Sequence, residues 1–106
     1  MIITTTSAVE GFHIVEYHGV VFGEVIAGVN FVKDFFANVR NFVGGRSNSY
    51  EQELCKARTN ALNELQVRAT QLGANAIVGV SIDIESLGAD GSMLMVVASG
   101  TAVTIR

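Results

Sequence analysis

One long helical segment sets the terms for everything else in this chain. From Tyr50 to Leu72, Tyr50, Leu54, Ala57, Ala61, Leu62, Leu65, Ala69 and Leu72 fall on one arc at about 100° per residue, while Gln52, Glu53, Lys56, Thr59, Asn60, Asn63, Gln66, Thr70 and Gln71 fall on the opposite arc. Ser49 with Gln52, or Asn48 with Glu51, has the spacing of a capping box, and Gly73 suits the left-handed residue that ends a helix. At about 1.5 Å per residue such a helix is about 34 Å long, as long as a domain of this size is wide. The 106 residues suffice for one core, so we read residues 1–106 as a single domain.

The rest of the chain reads mostly as strands. "IITTT", "FHIVEY" and "VVFGEVIAG" are rich in β-branched and aromatic residues and predict short N-terminal strands, the last two separated at His18 and Gly19. From Val32 to Val43, the apolar positions Val32, Phe35, Phe36, Val39, Phe42 and Val43 have helical spacing and predict a short first helix. After the long helix, "NAIVGVSIDIE" alternates, placing Val78, Val80, Ile82 and Ile84 on one face and Ser81, Asp83 and Glu85 on the other. Asp90-Gly91 is a favoured turn pair that returns the chain antiparallel. In the final strand both faces are apolar from Met93 to Val97. The expected fold is therefore α+β, a small antiparallel or mixed sheet with one short and one long helix. One long helix covers one face of a sheet, so a neighbouring subunit is expected over the other.

Composition points the same way. Apolar residues make up 49% and charged residues 16%, where soluble domains carry about 25% charge. A surface this poor in charge suggests that another copy of the chain covers part of it. The net charge of −3 repels nucleic acid backbones. No apolar run approaches the roughly 20 residues of a membrane span, and "MIITTTSAVEG" lacks a secretory pattern. We therefore expect no nucleic acid or membrane partner and a cytoplasmic location. The lone Cys55 cannot form an internal disulfide or a paired-cysteine metal clamp.

Three places could carry chemistry. "VGGRSNSYEQEL" puts Gly44, Gly45, Arg46 and Ser47 just before the long helix. Backbone N–H groups there, with Arg46 and Ser47, could hold an anion, although the phosphate-loop signature GxxxxGK[ST] is absent and the glycines also serve as a helix end and reversal. Arg58 falls near the middle of the apolar arc, with Glu51 and Arg68 also inside it. An unpaired buried arginine costs several kcal/mol, so Arg58 should meet Glu51, Asp83, Glu85 or carbonyl groups in a structural pair, or else an anionic ligand. His13 and His18, five apart, would face opposite ways on a continuous strand. They bind a divalent metal only if copies of the chain bring them together around a ring. No nucleophile signature such as GxSxG appears, and no catalytic residue is assigned.

"GVVFGEVIAG", "GGRSNSYEQEL", "KARTNAL", "LGANAIVGVSIDIE" and "GTAV" resemble, in the same order and over nearly the whole chain, the YbjQ-like family of short bacterial proteins, which carries a heavy-metal-binding label. The resemblance implies a compact α+β subunit in a homo-oligomer, a pentameric ring, in a bacterial cytoplasm. It places weight on Gly44, Gly45, Arg46, Tyr50, Glu51, Arg58, Gly73, Asn75 and Gly100 to Val103. The expected role is binding of a small ligand or ion at subunit junctions or in a central channel, with Gly45, Arg46, Ser47, Tyr50, Glu51 and Arg58 as ligand-binding residues and His13 and His18 as metal ligands. The alternatives are an enzyme acting on a small anionic substrate through Arg46, Glu51 and Arg58, and a purely structural assembly.

Overall fold

The computed structural model describes residues 1–27, 48–87 and 93–106; within these, the side chains of residues 27, 48–51, 53, 86 and 87 are outside the description. The described elements are β1 (Ile2–Ile3), β2 (Ile14–Ala27), α1 (Asn48–Gln71), β3 (Ala76–Leu87) and β4 (Met93–Ile105). They form a four-stranded mixed sheet in the order β1-β3-β4-β2, with β1 parallel to β3 and the other pairings antiparallel. This is the expected α+β class. The short helix expected at Val32 to Val43 and the Asp90-Gly91 turn lie outside the described residues. No described helix is long and apolar enough to cross a membrane.

The end of α1 follows the sequence closely. Gly73 has φ 87° and donates to Thr70 O at 3.0 Å, while Ala74 N–H reaches back to Ala69 O at 3.1 Å. This is a Schellman ending, and its two alanines are buried in the same cluster. Asn75 then works as a side-chain continuation of the sheet: its Oδ1 accepts from Ile105 N–H at 2.7 Å and its Nδ2 donates to Ile105 O at 3.0 Å, while its own N–H donates to Val103 O. The "LGANA" stretch therefore ends the helix and ties the last strand to the turn in three consecutive residues.

β2 is one strand, not two. His18 and Gly19 form a bulge: Tyr17 pairs with Val103 and Gly19 with Ala102, leaving His18 as the extra residue, and Gly19 takes φ 110°. A glycine that tolerates this conformation lets the strand bend and continue where the sequence reads as a break. β3 has a bulge of its own. Val78 pairs with Thr101 and Ser81 with Ser99, so Gly79 (φ 61°) and Val80 share one place opposite Gly100. The extra residue reverses the alternation, so Val78 does not share a face with Val80, Ile82 and Ile84 as expected. Val80 joins the core under α1, whereas Val78 joins Ala76, Val103 and Ile105 on the opposite face.

That opposite face is closed at one end by the chain itself. Thr4 and Thr6 bond to Ile77, Gly79 and Val80 alongside β3, and Val9 and Ile14 then pack on the Ala76, Val78, Val103 and Ile105 cluster. The other face is covered by α1, whose buried residues Ala57, Ala61, Leu65 and Ala69 follow a strict four-residue spacing. Small residues along that row allow a close approach. A Cβ built on Gly23 would lie 2.0 Å from Ala61 O and 2.8 Å from Leu65 N, so only glycine fits where the helix backbone meets β2.

The last strand is apolar on both faces between Met93 and Val97: Val96 is buried under α1, and Met95 and Val97 face the other way. β4 lies inside the sheet between β3 and β2, and its outward residues Met95, Val97, Ser99 and Thr101 are half-buried. The more exposed apolar stripe is beside it on β2, where Val20 is 64%, Phe22 46% and Ile26 58% exposed.

Gly23→Ala should cost about 3 kcal/mol or more, because the atoms in the way are helix backbone and cannot rotate aside. Asn75→Ala removes two bonds to Ile105 and should cost about 2 kcal/mol. Urea unfolding at one fixed protein concentration checks both, with the larger loss expected for Gly23→Ala.

Candidate functional site

α1 carries most of the residues singled out by sequence. Tyr50 and Glu51 stand in its first turns, and Gly45, Arg46 and Ser47, which precede it, lie outside the described residues. Arg58 is exposed, which corrects its expected burial. The reason is geometric. A row of residues four apart is inclined to the helix axis by roughly 26°, so the contact line through Ala57, Ala61, Leu65 and Ala69 moves around the helix as it advances. At the level of Arg58 it lies on the Ala57 side, and Arg58 is carried onto the flank. Neither Asp83 nor Glu85 forms an ion pair with it. Cys55, three residues earlier, is exposed too. Glu51, Cys55 and Arg58 have the spacing of one helix face, with Glu51 and Arg58 about two turns apart.

The charged side chain that does work against the sheet is Arg68, one of the three charges placed on the apolar arc. Its Nη1 donates to Phe22 O at 2.6 Å and its Nη2 to Glu64 Oε1, one helical turn back. Glu64 in turn accepts from Glu24 N–H through Oε2 at 3.4 Å. Glu64 was not expected to have a role. Its signal in the sequence is the four-residue spacing to Arg68, glutamate first, which is the favourable order on a helix.

The two histidines are not brought into a common site. His13 lies just before β2 and pairs with Arg106 through the backbone, its N–H donating to Arg106 O at 2.8 Å and its O accepting from Arg106 N–H at 3.0 Å. His18, the bulge residue, is mostly buried. Its Nε2 lies 2.7 Å from Thr104 Oγ1 and 3.9 Å from Glu16 Oε2. At the second distance the carboxylate pairs with the ring only when the ring is protonated. A metal at Nε2 would have to displace the threonine. Among the described residues no three of His, Cys, Asp and Glu are grouped to hold a metal ion, so the described donors of one chain do not fit a resident metal.

Comparisons with known proteins give the family. The YbjQ family model, described as "Putative heavy-metal-binding", matches residues 1–106. A UPF0145 protein of Clostridium botulinum strain Eklund 17B is 67% identical over 97% of each chain. A UPF0145 protein of Acetivibrio thermocellus is 63% identical over the whole of both chains. In shape, the chain is similar to a crystal structure of a DUF74-family protein of unknown function from Pediococcus pentosaceus, with TM-score 0.61 and 19% identity, covering 100% of this chain and 98% of that one. The last likeness concerns the fold alone. A match over every residue, with relatives above 60% identity along nearly their full length, leaves one conclusion: the chain belongs to the YbjQ (UPF0145) family of uncharacterised bacterial proteins.

Proposed function

We propose that this chain is a self-assembling cytoplasmic subunit that holds a small anion or metal ion where copies meet. The observation that carries this reading is an exposed apolar stripe: Val20, Phe22 and Ile26 of β2 are 64%, 46% and 58% exposed on the side of the sheet away from α1, beside the half-buried outer residues Met95 and Val97 of β4. A second copy of the chain is the occupant that suits it, and a pentameric ring is the assembly the family resemblance suggests.

For the ligand, the sequence places Arg46 five residues before Glu51 and Arg58 seven residues after it, and Arg58 is exposed on α1. Guanidinium groups grip small oxyanions through paired N–H donors. A metal ion would need donors from more than one copy, as the described residues of a single chain do not supply them.

Sedimentation of the native chain at micromolar concentration should give a particle several times 11.3 kDa. Phe22→Glu should shift it toward the single-copy mass with the helical circular dichroism retained. A native chain that sediments as one copy overturns the reading. For the ligand, inorganic phosphate should raise the melting temperature of the native protein, and Arg58→Met should abolish most of that rise while leaving the sedimenting mass unchanged. Elemental analysis after dialysis, with melting curves in added zinc, copper and nickel, tests the metal branch; no bound metal and no shift removes it.

A further inference from the structure

We infer that Glu64 and Arg68 form a guard that closes the free edge of β2 to the addition of another strand. Among the described residues, in the order β1-β3-β4-β2, the strand β2 has β4 on one side and no strand on the other. Along an antiparallel strand, alternate residues turn their N–H and C=O groups toward the paired neighbour and away from it. Phe22 O and Glu24 N belong to residues of the same parity, and both are taken by side chains of α1 instead of by a strand: Arg68 Nη1 donates to Phe22 O at 2.6 Å and Glu64 Oε2 accepts from Glu24 N–H at 3.4 Å. The ion pair between Glu64 and Arg68 holds both groups in place one turn apart. Gly23, between the two guarded residues, is where the helix backbone comes closest to the strand, and this brings the stems of residues 64 and 68 within reach of the edge.

An incoming strand aligned on the middle of β2 needs those same two backbone groups. It would have to strip a charge-assisted bond from Phe22 O and leave a half-exposed ion pair without its anchor. β2 requires such protection. It is 14 residues long, contains no proline, and carries exposed Val20, Phe22 and Ile26, the features of an edge that recruits other chains. The guard is independent of whether copies dock through the open face, because it concerns main-chain groups at the rim and not the side chains of that stripe.

The test compares the native chain with Arg68→Met, Arg68→Lys and Glu64→Ala. Thioflavin fluorescence under mild heating should rise several times faster for Arg68→Met than for the native chain, whereas Arg68→Lys, which keeps a donor for Phe22 O, should stay close to native. Adding Glu24→Pro to Arg68→Met should suppress the new fluorescence, because proline removes the edge N–H without costing a bond to β4. If Arg68→Met fails to fold, Glu64→Ala decides the matter: the Glu24 amide should then exchange its hydrogen about tenfold faster, while amides of Val96 and Ala98 in β4 keep their native protection. Equal fluorescence growth in native and Arg68→Met protein, growth that Glu24→Pro does not suppress, or unchanged exchange at Glu24 in Glu64→Ala would each overturn the proposal. Loss of the native oligomer in Phe22→Glu bears only on the face, so failure of the two readings is told apart.

Discussion

The contact between Gly23 and the backbone of α1 organises this fold. With no side chain on the strand and only methyl groups at Ala57, Ala61 and Ala69, helix and sheet approach until main-chain atoms nearly touch. The closeness selects the four-residue row as the seam and sets the direction in which α1 crosses the sheet. It also brings Glu64 and Arg68 within reach of β2 and turns Arg58 outward. The single large residue in the row, Leu65, fills the space that the alanines leave, and it is fully buried.

Much of this was legible in the sequence, and the failures have particular physical causes. The long helix and its ending at Gly73 could be read because they rest on local rules of periodicity and capping, and the last strand pairs antiparallel with β3 as expected. The break assigned at His18 and Gly19 and the single face assigned to Val78 through Ile84 failed for one reason: both strands contain a bulge, and a bulge looks in sequence like either a turn or ordinary alternation. Positive φ at Gly19 and Gly79 supplies what was missing. Arg58 was misplaced because a helical wheel assumes a seam parallel to the axis. Gly23 escaped notice because a lone glycine in a strand is a weak sign until the helix above it is known. Of the residues proposed to bind a ligand, Gly45, Arg46 and Ser47 fall outside the described residues, while His13 pairs through its backbone with Arg106, just past β4, and the His18 ring meets Thr104 within β4.

The two faces of the sheet are treated differently. Among the described residues, one is sealed by α1 along β2 and β4, and the other is closed by the N-terminal segment around Val103 and Ile105. Beyond that patch the outer residues of β4 are half-buried and those of β2 are open. The family's heavy-metal description finds no cluster of donors in the described part of a single chain.

The bulge at Gly79 also has a bearing on how such a chain can vary over generations. Because one additional residue divides β3 into two halves of opposite phase, Ala76 and Val78 answer to the N-terminal segment, whereas Val80, Ile82 and Ile84 belong to the helix side. Each half is free to drift against its own cover. Loss of that one residue would put them back in step and turn one half inside out, so a one-residue deletion here is a far greater insult than most substitutions nearby.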